Sequence, residues 1–439
     1  MKTNTKTATA PIFTHEGAEA VKNNYEQQLN RAVLATFLWE KNAYESGVSI
    51  ATRIAELIPK VKAEKVAELA VKARNEYKLR HIPLFIAREM LRHEKHKAHV
   101  VYVLDNIIMR ADEISEMLAI YWKDGKTPIA NQLKKGLANA FNRFDSYALS
   151  KYNRDGDIKL RDVLFLVHAR PLNEEQGALW KKLVEDKLET PYTWEVELSA
   201  SKGENKKDVW TKLLEKKALG GLAFLKNLRN LNQEGVDKTL IKNYFKTAKF
   251  DRVLPFRFIA AAKYAPNLEP ELEEAMFKAV ETKEKIAGNT VLLIDVSGSM
   301  DAVLSEKSEN TRLDTACALA ILAREIYKDV EVYTFSNQLV QVPTRRGFAL
   351  RDAIVKSQQH GGTNLGGAID TLHANTKYDR LIIFTDEQSS SKPANPNGKG
   401  YVINVANCKN GVGYGAWVHI DGFSEAVITY IQALEASEV

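Results

Sequence analysis

From about Gly17 to Lys285 apolar residues recur at spacings of three and four, with charged residues between them. That is the pattern of helices that bury one face. The stretches "AVLATFLWEKNAYESG", "VAELAVKARNEYKLRHIPLFIAREMLR" and "HVVYVLDNIIMRADEISEMLAIYWKDG" carry it most clearly, and strand-like alternation is scarce. Breaks fall at Gly47, Pro59, Pro83, Gly125, Pro171, Gly220-Gly221 and Pro255. The pattern therefore predicts helices of roughly 10 to 20 residues joined by short turns. A succession of such helices predicts an α-solenoid of HEAT-like helix pairs. No strict period is present, so the repeats are degenerate, and a compact irregular helical domain is the alternative.

At about Lys285 the pattern changes. "TVLLIDVS", "VEVYTFS", "RLIIFTDE", "YVINVAN" and "AWVHID" are short apolar runs that read as buried strands. Helical stretches, "RLDTACALAILAREIYK" and "GGAIDTLHAN", lie between them. Strands alternating with helices predict a parallel, Rossmann-like sheet covered on both faces. The predicted class is thus α plus α/β, with a helical domain over 1–285 and a sheet domain over 286–439. Ligands of such sheets bind at the carboxyl ends of strands, where Asp295 and Asp386 fall.

Composition narrows the function. A chain of 439 residues is too long for one ordinary core. Its apolar content of 45% and charged content of 27% are those of a folded soluble protein. No run of about 18 uncharged apolar residues predicts a membrane helix. The start, "MKTNTKTATAPIFTHEG", is polar and has no apolar core of a secretory signal. Cys317 and Cys408 cannot form a disulfide framework and lack metal-ligand spacing, which fits a reducing, cytoplasmic setting. Of 62 Lys+Arg and 56 Asp+Glu, 13 and 17 lie in 286–439, leaving 49 and 39 in the first 285 residues. The helical part is basic and the sheet part mildly acidic. A basic domain suggests a polyanionic partner, although lysines also serve simply to solvate helices.

Two constellations carry chemistry. Asp295, Ser297 and Ser299 follow the first strand, "HGGTNLGGAID" places Thr363 on a glycine-rich loop that opens a helix, and "LIIFTDEQ" ends the later strand with Asp386. Two carboxylates and three hydroxyls at one sheet edge form a hard-oxygen set suited to Mg²⁺ or another divalent cation. The plainer alternative is that the hydroxyls only cap loops and helices. A Walker A site is excluded, because "GGTNLGGAID" has no Lys, and a dinucleotide fingerprint is missing. His360 is a lone loop histidine.

The second constellation is "LKKGLANAFNRFDSYALSKYNRDGDIKLRDVLFLVHARP". It carries Lys134, Lys135, Arg143, Lys151, Arg154, Arg161, His168 and Arg170, interleaved with Phe141, Phe144, Tyr147 and Tyr152. Polyanion binding needs phosphate-neutralising charge, and single-stranded RNA adds stacking on aromatic faces. "GGLAFLKNLRNLNQEGVDKTLI" adds Lys226, Arg229 and Asn230 on one helix. The competing reading buries the aromatics and leaves the cations merely solvated.

DxSxS, the later Thr and the later Asp resemble the metal-ion-dependent adhesion site of von Willebrand factor A domains. With "YALSKYNR…LRDVLFLVHARP", "LAFLKNLRNL" and "RHIPLFIAREMLRH" before them, nearly the whole chain resembles the Ro 60 kDa autoantigen family of TROVE-domain RNA-binding proteins, in a bacterial or phage form. The resemblance implies helical repeats closed into a ring beside an A domain. It implies small stem-loop (Y-type) RNAs on a basic outer surface, 3′ ends of misfolded or precursor non-coding RNAs in the hole, and no catalysis. It also implies work beside exoribonucleases. One local departure is Leu160, which stands before Arg161 where animal members carry a histidine.

The expected function is therefore a ribonucleoprotein scaffold in RNA quality control, maturation or decay. The protein is expected to be a monomer that engages a protein partner, such as an exoribonuclease, through its A domain. The alternatives are an adhesion- or chelatase-like protein-interaction module without an RNA role, and a metal-dependent ribonuclease.

Overall fold

The computed structural model describes residues 12–13, 19–20, 24–34, 47–153, 156–201, 205–250, 253, 255–281, 285–304, 308, 310–406, 414–421, 427–428, 431 and 435. Arg154 and Cys408 lie outside the described residues. A strand pair, β1 (Ile12–Phe13) and β2 (Glu19–Ala20), comes first. The helices α1 (Tyr25–Leu34), α2 (Gly47–Leu57), α3 (Ala63–Asn75), α4 (His81–Met90), α5 (Glu94–Lys97), α6 (Val100–Ile107) and α7 (Asp112–Tyr121) follow. Then come α8 (Asn131–Phe141), α9 (Ser146–Tyr152), α10 (Leu160–Val167), α11 (Glu174–Val184), α12 (Trp194–Ala200) and α13 (Lys206–Glu215). After them run α14 (Gly221–Gln233), α15 (Lys238–Thr247), α16 (Pro255–Tyr264) and α17 (Glu269–Val280).

The remaining elements build a sheet. They are β3 (Ile286–Asp295), α18 (Arg312–Ile326), β4 (Tyr327–Phe335), β5 (Leu339–Val342), α19 (Gly347–Val355), α20 (Leu365–Asn375), β6 (Arg380–Thr385), β7 (Lys399–Asn404) and β8 (Val418–Asp421). Among the described residues no helix is long and apolar enough to cross a membrane.

The chain forms two compact units. One comprises Gln28–Val33 with Ala51–Ala218; the other comprises Met1–Gln27, Leu34–Ile50 and Leu219–Val439. In the first unit helices pack on near neighbours in sequence: α3 on α4 and α6, α4 on α7, α6 on α8, and α10 on α7 and α8. This is the local pairing of stacked helix pairs. The long periodic stretches break where the chain must turn back. Lys78 takes a left-handed φ of 56° between α3 and α4.

Between α6 and α7, the buried Glu113 side chain accepts the Met109 and Arg110 N–H groups at 2.8 and 3.1 Å. It thereby satisfies two backbone amides of the turn that precedes α7. Its other oxygen accepts Arg74 Nη2 at 2.6 Å. Pro83, read as a break, instead lies in the first turn of α4, where a missing N–H costs nothing. Gly136 lets α8 approach α6: a Cβ there would lie 2.9 Å from Leu104 Cβ.

The sheet of the second unit has the order β5-β4-β3-β6-β7-β8. All neighbours are parallel except β5, which runs antiparallel to β4. The last six residues of β3 and all of β6 are buried, as expected of strands covered on both faces. Val291, Leu293, Phe335, Ile369, Leu372 and Ile383 build one core, while α18 packs on β3, β4 and β6.

Helices α14–α17 belong to this unit as well, with α16 and α17 on α18 and α17 on α19. Glu273 of α17 accepts the Phe348 N–H at 2.8 Å. Gly347 has φ +53°, and a Cβ there would meet Glu273 Oε1 at 2.1 Å, so only glycine fits. The change of pattern at 285/286 thus falls inside a compact unit.

Candidate metal centre and nucleic-acid interface

β3 leads through α18 to β4 on one side, and its other neighbour is β6. The two connections diverge at the carboxyl ends of β3 and β6, which is where open α/β sheets hold ligands. Asp295 ends β3 and Asp386 follows β6; both side chains are fully buried. Ser297 N donates to Asp295 Oδ1 at 2.8 Å, and Thr385 Oγ1 donates to Asp295 Oδ2 at 2.6 Å. Ser297 and Ser299 hydroxyls lie 3.2 Å apart.

Backbone bonds tie the bearing loops together. Gly298 N donates to Gly361 O at 2.9 Å, and Ser390 N donates to Thr363 O at 2.9 Å. Ser336 supports the glycine-rich loop, accepting Gly361 N at 2.8 Å and donating to Gly362 O at 3.0 Å. A Cβ on Gly361 would lie 2.4 Å from Asn337 Nδ2 and would push that side chain aside.

Burial, and then the Asp386 carboxylate, push Asp295 up to about 7. Among the described residues no cluster of three or more His, Cys, Asp or Glu could hold a metal. The donors expected from the sequence are instead two acids with hydroxyls, a composition that would fit Mg²⁺ with its retained waters.

The residue that the sequence reading missed is Arg312. It is 2% exposed. Its Nη1 donates to Asp386 Oδ2 at 2.7 Å and to the Ser299 carbonyl at 3.1 Å. A capping box fixes it at the first residue of α18: Thr311 Oγ1 accepts Asp314 N at 3.0 Å, and Asp314 Oδ2 accepts Thr311 N at 2.8 Å. "TRLD" announces that cap; nothing local announces the aim of Arg312 at Asp386. His360 is tied to Asp301 at 2.8 Å and to the Val355 carbonyl at 3.0 Å, so it serves the loop.

The cations of the first unit are mostly in solvent. Lys135, Arg143, His168 and Arg170 are exposed; Lys134, Lys151 and Arg161 are half-buried. Lys151 Nζ sits 5.6 Å from both the Tyr147 and Tyr152 ring centroids. Arg110, absent from the sequence reading, lies 4.5 Å over Tyr152. Arg143 bonds the Asp105 carbonyl, and Arg161 pairs with Asp186. Asp145 caps α9 by accepting Ala148 N at 2.7 Å. His168 ends α10 in a left-handed conformation, φ 54°.

The aromatics divide. Tyr147 is 52% exposed, whereas Phe141 is wholly buried against Trp180. Phe141 is core, because its position on α8 faces the neighbouring helices, and it is not available for stacking.

In the second unit Lys226, Arg229 and Asn230 share one exposed face of α14, as their spacing requires. Arg229 lies 5.5 Å over Tyr264, and Asn230 donates to Asn227 Oδ1 at 2.9 Å. Partial desolvation, and then the nearby Arg257 charge, lower Lys226 from the usual lysine value. Arg257 thus joins this face unannounced by the sequence.

Stacked helix pairs followed by a parallel sheet with this acid-and-hydroxyl edge define a helical-repeat protein with a von Willebrand factor A domain. Comparison with known proteins agrees. The family model described as TROVE domain matches residues 183–316, and that described as Ro60 vWA domain matches residues 289–398. Two stretches of the chain are thus similar to the TROVE domain and to the Ro60 vWA domain. A crystal structure of the Ro (RSR) protein of Deinococcus radiodurans has a similar fold: TM-score 0.64, 16% identity, covering 95% of this chain and 100% of that one. No curated protein matches the chain.

Proposed function

We propose that the protein binds small stem-loop RNAs and the single-stranded 3′ ends of misfolded or precursor non-coding RNAs. In this reading it is a scaffold for RNA quality control, maturation or decay. The observation that carries it is the cationic run on and after α8–α10: Lys135, Arg143, His168 and Arg170 stand in solvent, and Lys151 lies beside the exposed Tyr147 ring. Charge of this kind neutralises phosphates without reading sequence, and exposed aromatic faces accept unpaired bases. The matches to the TROVE domain and Ro60 vWA domain models support the same reading. The face of α14 with Lys226, Arg229 and Asn230 supplies further charge.

In the same reading Asp295, Ser297, Ser299, Thr363 and Asp386 hold Mg²⁺ or another divalent cation. A divalent cation held by these residues would supply a site for an oxygen ligand of a protein partner, an exoribonuclease among them. The chain's own residues set the donors: Ser297 N and Thr385 Oγ1 orient Asp295, and the Thr363–Ser390 bond ties the remaining loops.

The test is crosslinking in cells followed by sequencing of the RNA bound to the purified protein. Enrichment of stem-loop RNAs or 3′-tailed precursors over a charge-matched control is the expected outcome. Recovery equal to the control would overturn the proposal.

A further inference from the structure

The acid-and-hydroxyl cluster already contains a cation. Arg312 is buried, and its guanidinium bonds Asp386 Oδ2 at 2.7 Å and the Ser299 carbonyl at 3.1 Å. Both partners belong to the loops that carry the metal donors. Building on the metal-site reading above, we propose that Arg312 is a built-in competitor of the divalent cation. It holds Asp386 in the metal-free protein and must leave that carboxylate for the cation to be bound.

Three observations support this. First, a buried carboxylate needs a counter-charge, and within bonding distance of Asp386 Oδ2 that charge is Arg312. A guanidinium is always charged, so pH does not remove it. Second, the donor set is poor in charge. With two carboxylates and neutral hydroxyls, one retained guanidinium cancels half the negative charge available to a metal, and like charges this close repel strongly in a buried site.

Third, Arg312 is placed by structure that a metal site alone does not require. The Thr311–Asp314 capping box fixes its position at the head of α18. Arg312 N also donates to Ala302 O at 3.0 Å, tying it to the segment just after the DxSxS loop. Metal loading is therefore coupled to the first turn of α18. That helix packs on β3, β4 and β6 and also on α16 and α17.

The experiment is isothermal titration of Mg²⁺ into the full chain, comparing wild type with Arg312→Met and Arg312→Lys. Removing the charge at similar length is expected to tighten Mg²⁺ binding by about tenfold or more. Arg312→Lys, which keeps a cation, is expected to stay near wild type. Equal or weaker binding by Arg312→Met, with wild-type binding present, overturns the competitor role and leaves the metal site standing. If neither protein binds Mg²⁺, both the competitor role and the metal reading fall. Should Arg312→Met not fold, a crystal structure of Mg²⁺-saturated wild type decides. Arg312 displaced from Asp386 is expected, and an intact 2.7 Å bond overturns the proposal.

Discussion

Thr385 Oγ1 donates to Asp295 Oδ2 at 2.6 Å, joining the ends of β6 and β3. The bond aims one carboxylate at the loops that bear Ser297 and Ser299 while the strands keep its backbone fixed. Asp295→Ala removes a donor and leaves the cationic faces untouched. It is expected to abolish Mg²⁺ binding, read by calorimetry, and to change RNA affinity less than about twofold. Loss of RNA binding in a folded Asp295→Ala protein would refute this division of labour.

Asp295 also predicts a pH effect. Its folded value of about 7 lies above the roughly 3.9 of an unfolded aspartate. Between those values the folded chain holds the proton and the unfolded chain has released it. In metal-free protein this contribution to stability is present below about pH 4 and lost as pH rises to about 7, on the order of a few kcal/mol. Unfolding midpoints in chelator are expected to fall across that window in wild type relative to Asp295→Asn. A difference independent of pH would contradict it.

Glu113 is a structural counterpart in the first unit. It is 0% exposed, pairs with Arg74 at 2.6 Å, and accepts two amides of the turn that precedes α7. Glu113→Ala removes the partner of two amides and one of the two partners of the half-buried Arg74 guanidinium, whose Nε still donates to Ile107 O. Destabilisation of about 3–5 kcal/mol is expected by chemical denaturation.

Gly136 tests the helix pairing. A Cβ there would lie 2.5 Å from Leu104 Cδ1 and 2.9 Å from its Cβ. Gly136→Ala is expected to push α8 from α6 and cost about 1–3 kcal/mol, despite alanine's better helix propensity. A stabilised variant would show that the helices are not in close contact.

The proposed RNA face is open to a test by charge removal. Lys135 and Arg170 are both exposed. Replacing both by Gln is expected to weaken RNA binding across sequences alike and to flatten the salt dependence by roughly one contact each. An unchanged slope would remove these residues from the interface.

Much of this was legible in the sequence, for physical reasons. The strands ending in Asp295 and Asp386 announce themselves as apolar runs because both faces are covered. β5 does not: "LVQV" is short, and its antiparallel pairing with β4 is a tertiary fact. The long helical runs were readable as periodicity, but the break before α7 depends on Glu113 capping amides from within a buried network. Lys151 and Tyr147 are legible only as an interleaved cation and aromatic; their shared place on α9, with Nζ 5.6 Å from the ring centroid, is a structural fact. Phe141 was not readable as core, since an aromatic among lysines looks the same whichever way it faces. Arg312 was visible only as the start of a helix; its role depends on a carboxylate 74 residues away.

The central claim is RNA binding through phosphate charge. The most direct measurement is fluorescence anisotropy of the full chain with a labelled stem-loop RNA bearing a single-stranded 3′ tail, across a range of salt concentrations. Tight binding at low salt, a steep loss of affinity as salt rises, and weaker binding to the same RNA without its tail are expected. Binding no tighter than to a charge-matched control polymer, or an affinity indifferent to salt, would contradict it.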